Sequence, residues 1–286
     1  MDMQRAMKAR GAILVVIAAL AVAELGVSAS DARAGSYGRP VFLGHGWHAP
    51  WGIAVNGSGD LFVANAAVHP PSPSIVELFP NGTETKVGSG FKRANDVALN
   101  SSGDLFVSDS SKHRIVEVNP GHGERKLGSG LLYPQGVALD SAGDAFVADQ
   151  GNNRVVEISP PDEQTTFATG FSEPDGIAVN SSGDVYVSDQ GNGQVVELGP
   201  DGTRLATFPV EDGPAGMTVD SAGDVFVTDI GDSDVIEITP NGTESPIGEG
   251  DDALLGPEGV AVDSAGDLFL ADTYEDYVVE LPIISG

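Results

Sequence analysis

The chain has 286 residues, 41% of them apolar, with 38 glycines, 18 prolines and no cysteine. Its 42 acidic side chains stand against 14 Lys and Arg, a formal charge of −28. Such a surface disfavours nucleic acid and anionic lipid as partners, since both repel it, and the missing cysteine excludes a disulfide framework or a lipid-modified cysteine.

Residues 1–34 read as a separate element. Arg5, Lys8 and Arg10 form a basic start, and an apolar run over 11–23 (GAILVVIAALAVA) ends at Glu24. That run is too short to cross a bilayer comfortably, where about 20 residues are needed. Small residues follow, with cleavage sites after Ala29 or Ala34, so a secretory signal peptide is expected. The domain over 35–286 is then expected to be secreted or held in the periplasm or cell envelope, with no membrane insertion after cleavage.

From there one pattern recurs: NGSGDLFVAN, NSSGDLFVSD, DSAGDAFVAD, NSSGDVYVSD, DSAGDVFVTD and DSAGDLFLAD. Its aspartates, Asp60, Asp104, Asp144, Asp184, Asp224 and Asp267, are spaced 44, 40, 40, 40 and 43 residues apart. A period of about 40 residues holding four short β-branched runs is that of propeller blades rather than of a helical solenoid. In the third repeat GVALD is the inner strand, AFVAD the second, RVVEIS the third and TTFATG the outer. Asp140 to Asp144 form a hairpin, in which Asp140 bonds the turn backbone and Gly143 takes positive φ.

Counting predicts closure. From the third-strand glutamates Glu77, Glu117, Glu157 and Glu197 to the next Gly-Asp aspartate is 27 residues each time, but six residues follow Glu280. The missing outer strand is therefore expected from PVFLGHGWHAP, starting at Pro40, which matches ERKLGSGLLYP. The fold class is all-β: a six-bladed β-propeller of four-stranded antiparallel blades, latched by pairing the N-terminal strand with the C-terminal blade, so that no sheet edge stays open.

DQGNNRVVEIS (149–159), with GDAFVA before it, and the phrases PQGVALD and PEGVAVD resemble the NHL repeat family, over residues 40–286. The resemblance extends to the extracellular sensor domains of bacterial receptor serine/threonine kinases and, more distantly, to streptogramin lyase-like propellers. It implies a ligand-sensing or scaffolding domain, or a lyase using His and Glu near its top with a divalent cation. The repeats here read LFVAD, however, where the lyases read more like NLWFTE. A shared fold does not choose among these functions.

Features repeated in every blade are expected to be scaffold. The polar residues Asn65, Asp109, Asp149, Asp189, Asp229 and Asp272 each follow a second strand and suit turn capping. A site is expected where blades differ, on the top face, which carries the loops from second to third strand and from outer to next inner strand. Trp47, His48 and Trp51 fall there in blade 1, with His69 in an inserted loop and His113 at the rim of blade 2. Tryptophan beside histidine suits an apolar or sugar-like ligand with a titratable partner. The middle residue of each Pro-x-Gly, or its equivalent, is expected to ring the channel mouth: Trp51, Asn95, Gln135, Asp175, Ala215 and Glu258. Asp175 and Glu258, with Asp96 beside them, offer oxygen ligands for Ca²⁺ or another divalent cation. No catalytic residue is assigned.

The leading expectation is an exported, non-catalytic module that binds a small molecule, a glycan or a protein on its top face. The alternative is a metal-assisted lyase or lactonase on the same scaffold. No Gly-x-Ser-x-Gly, His-Glu-x-x-His or phosphate-loop motif is present.

Overall fold

The computed structural model describes residues 36–66, 73–121, 123–210, 212–247 and 254–284. The expected signal peptide and His69 lie outside them. The described residues all belong to one compact unit, Gly35–Ser285.

Alternating β-branched and aromatic residues make four strands per repeat, and the strands pair antiparallel in chain order into six four-stranded sheets. Blade 3 is typical: Pro134–Leu139 innermost, then Ala145–Asp149, Arg154–Ser159 and Glu163–Thr169. The inner strands of the other blades are Pro50–Val55, Ala94–Leu99, Pro174–Val179, Pro214–Val219 and Pro257–Val262. Each hairpin between first and second strand is closed by a side chain: Asp140 Oδ1 accepts the amides of Ala142 and Asp144, both at 2.9 Å, as Asn56 does for Ser58 and Asp60. Gly143 sits at φ 90°, a left-handed conformation that a Cβ would strain.

Blades pack through the aromatic residue of each second strand, which reaches into the cluster of the following blade. Phe106 packs with Val137, Val147 and Val156, and Phe146 with Ile177, Val187 and Val196. The same contact closes the ring, where Phe269 of blade 6 packs with Ile53, Leu61 and Val63 of blade 1. Each such ring buries apolar area amounting to about 1.5–3 kcal/mol.

Nearest the axis the inner strands pack backbone to backbone. A Cβ on Gly176 would fall 2.1 Å from the Ala215 carbonyl, one on Gly216 2.2 Å from that of Glu258, and one on Gly259 2.1 Å from that of Trp51. These glycines therefore set how tightly the ring closes.

The outer strand of blade 6 is Val41–Leu43, paired with Tyr277–Leu281 in the register Val41 to Glu280, Phe42 to Val279 and Leu43 to Val278. The N-terminal latch is thus present. A second pairing, Ser36 to Ile284 and Tyr37 to Ile283, reinforces it.

Two stability outcomes follow. Gly216→Ala is expected to lower stability by about 1–3 kcal/mol or more in denaturant titration, because backbone rather than a flexible side chain must yield; an unchanged midpoint would contradict the axial packing. Deleting residues 36–43 is expected to lower the melting temperature by roughly 10 °C or more, since it bares a strand edge and part of the blade 6–blade 1 core. A chain that melts as before would show that the ring closes without its latch.

Candidate binding site at the channel mouth

The repeated aspartates fix the rim. Asp149, fully buried, accepts the Leu132 amide at 2.7 Å through Oδ1 and pairs with Arg154 at 2.7 Å through Oδ2. Asp109 accepts the amides of Lys92 and Arg93 and pairs with Arg114 at 2.9 Å; Asp189 accepts the Ser172 amide. Each carboxylate thereby ties the loop entering a blade to that blade's second strand, the scaffold role expected of it.

Three of the expected site residues serve the rim or the core. Trp47 is buried among Ile53, Val63 and Phe269, its Nε1 donating to the Leu43 carbonyl at 2.8 Å. It occupies the apolar anchor position that Phe91, Leu131 and Phe171 hold in the next blades. His113 stands in the left-handed conformation after a 3₁₀ turn, and its Nδ1 accepts the Tyr133 amide at 3.0 Å. Asn153 makes the same clamp to Glu173 one blade on. His48 is exposed; its amide donates to Asn65 at 2.8 Å. Among the described residues no histidine lines the channel.

The channel mouth gathers the others. Trp51, Asn95, Gln135, Asp175 and Glu258 line a cavity of about 520 Å³ that continues downward between apolar walls, Val55, Leu99, Leu139, Val179, Val219 and Val262. One side is knitted together by hydrogen bonds. Ser110 Oγ donates to Asn95 Oδ1 at 3.3 Å, Asn95 Nδ2 to Gln135 Oε1, Gln135 Nε2 to Gln150 Oε1 at 2.9 Å, and Gln150 Nε2 to Asp175 Oδ2 at 3.4 Å.

The opposite side is open. The Arg93 guanidinium lies 3.8 Å from the centroid of the Trp51 ring, a cation–π contact. It faces Glu258 and Asp175 electrostatically but makes no direct ion pair or side-chain hydrogen bond with any described residue. The Trp51 Nε1 atom is buried without an acceptor among the described residues.

Blade 2 breaks the inner ring, because it reads Arg93-Ala94-Asn95-Asp96 where blade 3 reads Tyr133-Pro134-Gln135-Gly136. Asp96 thus fills a glycine position. Its carboxylate reaches across to accept the Val137 amide at 2.9 Å as well as that of Val97.

Water reaches these carboxyls through the channel, yet they lie deep within the protein. Burial pushes Asp96 up to about 7, against the lowering effect of its two amide donors and with a small addition from Asp175. Asp175 rises to about 6 through burial, with Arg93 opposing. Glu258 rises furthest, to about 8, through burial and then the charge of Asp175, again opposed by Arg93. Among the described residues no three His, Asp or Glu side chains gather closely enough to hold a metal ion. Arg93, sharing the mouth with Asp175 and Glu258, competes for the place a cation would take.

Sequence reasoning passed over Arg93, Gln150 and Gln190. Arg93 stands where other blades put a turn residue such as Ala49 or Glu173, and the two glutamines sit inside a repeated phrase read as scaffold.

The carboxyl shifts set a pH dependence. All three groups hold protons in the fold that the unfolded chain has released, so their contribution to stability falls as pH rises from about 4 to about 8. Glu258→Gln is expected to melt close to wild type at pH 5 and several degrees above it at pH 8.5. Parallel melting curves for the two proteins across that range would refute the burial of Glu258.

The NHL repeat family profile matches residues 91–117, 131–158 and 171–198, each running through the third strand of a blade. No curated protein sequence matches significantly. Similar solved structures include a gluconolactonase from Xanthomonas campestris (TM-score 0.75, 16% identity, covering 91% of this chain and 94% of that one). A streptogramin B lyase superposes with TM-score 0.67 at 12% identity over 86% and 97% of the two chains. An aldose sugar dehydrogenase from Streptomyces coelicolor, in its PQQ-bound form, gives 0.68 at 15% over 87% and 98%. At these identities the likeness is one of fold. The chain is a six-bladed β-propeller, three of whose blades match the NHL repeat.

Proposed function

We propose that this chain is an exported, non-catalytic binding module whose ligand seats in the top-face channel mouth. One observation carries the reading: the Arg93 and Glu258 side chains line one cavity and have no hydrogen-bond partner among the described residues, beside a Trp51 whose buried indole N–H also lacks one there. Buried polar groups are nearly always satisfied, and a concave site with a few unsatisfied, convergent groups is where a small ligand recovers that cost. Export rests on the basic, apolar and small-residue succession over residues 1–34.

Glu258 supports a second reading. A carboxyl held near 8 is protonated at neutral pH and can act as a general acid, and the similar folds above include a lactonase and a lyase. Lactone-opening assays discriminate the two: turnover that Glu258→Gln abolishes would replace the binding module by an enzyme.

For the binding reading, a thermal-shift screen of metabolites and short glycans is expected to find compounds that raise the melting temperature. Arg93→Ala and Trp51→Ala are each expected to weaken any hit by at least tenfold while the fold is retained. Hits indifferent to both substitutions would move the site elsewhere on the top face.

A further inference from the structure

The mouth also says what kind of ligand it takes, an inference that rests on the binding reading above. Its open groups fall into two kinds. Arg93 presents a planar set of N–H donors, held against the Trp51 ring. A guanidinium so held is matched by a carboxylate, which it can engage with two parallel hydrogen bonds. Glu258 and Asp175 are carboxyls facing the same space, and Asp96 lies beside them.

Among the described residues, three carboxyls and one guanidinium are the titratable groups at the mouth, where Asn95, Gln135, Gln150 and Gln190 add neutral amides. An anion alone would satisfy Arg93 but face Asp175, ionised above about pH 6, and would give Glu258 and Asp96 no counterion toward which to release their protons. A cation alone would satisfy the acids and be repelled by Arg93. An uncharged sugar could use the amides, but it would engage neither Arg93 nor the carboxyls through their charge, and Arg93 already covers a face of the indole ring on which a sugar would stack.

We infer that the channel mouth of this propeller binds a small zwitterion bearing an ammonium and a carboxylate group, such as a free amino acid. The carboxylate meets Arg93, and the ammonium meets Asp175 and Glu258, which gives up its proton to solvent as the ammonium arrives. The cavity of about 520 Å³ accommodates a ligand of that size together with a side chain directed into the apolar lower channel.

The test uses the twenty free amino acids as probes, each titrated into the purified protein by calorimetry and by tryptophan fluorescence. The chain has two tryptophans, and Trp47 is buried in the core, so a ligand-dependent signal is assigned to the mouth when Trp51→Phe removes it. At least one amino acid is expected to bind. Its N-acetyl derivative and its carboxamide are each expected to bind at least tenfold more weakly, as should the amino acid itself to Glu258→Gln and to Arg93→Gln.

The blocked derivatives test the chemistry on the wild-type protein, even where a substitution disturbs folding. Binding in which both derivatives match the parent overturns the zwitterion. A Trp51 response to glucose, spermidine, acetate or Ca²⁺ with none to amino acids overturns the ligand class while leaving the mouth as the site. Silence from every probe overturns both.

Discussion

The close approach of inner-strand backbones around the axis governs everything above it. Where Gly176, Gly216 and Gly259 meet the carbonyl of the next blade, no side chain fits between neighbours. The six inner strands therefore stand at a fixed distance from the axis, and the residue immediately before each glycine is carried to the channel mouth. A larger residue at any of these positions would spread two blades and loosen the aromatic packing between them, since protein interiors yield little to added volume. The functional residues are thus positioned by a contact in which they take no part.

Blade 2 satisfies the same constraint by other means. Asp96 cannot pack as a glycine does, and its carboxylate instead spans the gap to the Val137 amide, replacing a backbone contact with a charge-accepting bridge. The proline of the other blades is missing too, and Arg93 lies outside the left-handed region that Ala49, Tyr133 and Glu173 occupy at the equivalent place. Its side chain lies over Trp51 rather than along the rim. The two departures together turn a symmetric ring into a mouth with a knitted side and an open one, and on a repeat scaffold such asymmetry is where specificity can reside.

The architecture was legible because each level of the sequence agrees with it. Hairpin aspartates, strand alternation and the 40-residue period all point to blades, and counting from Glu280 located the latch. The mouth ring was legible for the same reason: Trp51, Asn95, Gln135, Asp175 and Glu258 follow from register alone. Judgement by residue type was less reliable. Trp47 and His113 attract notice as rare, chemically able side chains, yet alignment by register puts them with Phe91 and Asn153, an anchor and a clamp. Arg93 was hidden for the converse reason, because its register is that of a turn and only the loss of the neighbouring proline and glycine signals that the turn has changed.

Among the acids at the mouth, Asp96 bridges to the Val137 amide and Asp175 accepts from Gln150 of the preceding blade at 3.4 Å, but Glu258 makes no such link among the described residues. Ala215 fills the same ring position in blade 5 without loss of the strand pairing or of the axial contact. A carboxyl at this position is therefore not required for strand pairing or the axial contact, and burial makes the charged forms of Glu258 and Asp175 unfavourable. A scaffold indifferent to what stands at these positions would be at least as stable with alanine or glutamine there. Two destabilised carboxyls beside a guanidinium that makes no direct ion pair among the described residues form the arrangement that a ligand of matching charge would relieve. The cost to the free protein and the complementarity to a bound ligand have one physical origin, the withdrawal of charged groups from water at the neck of the channel.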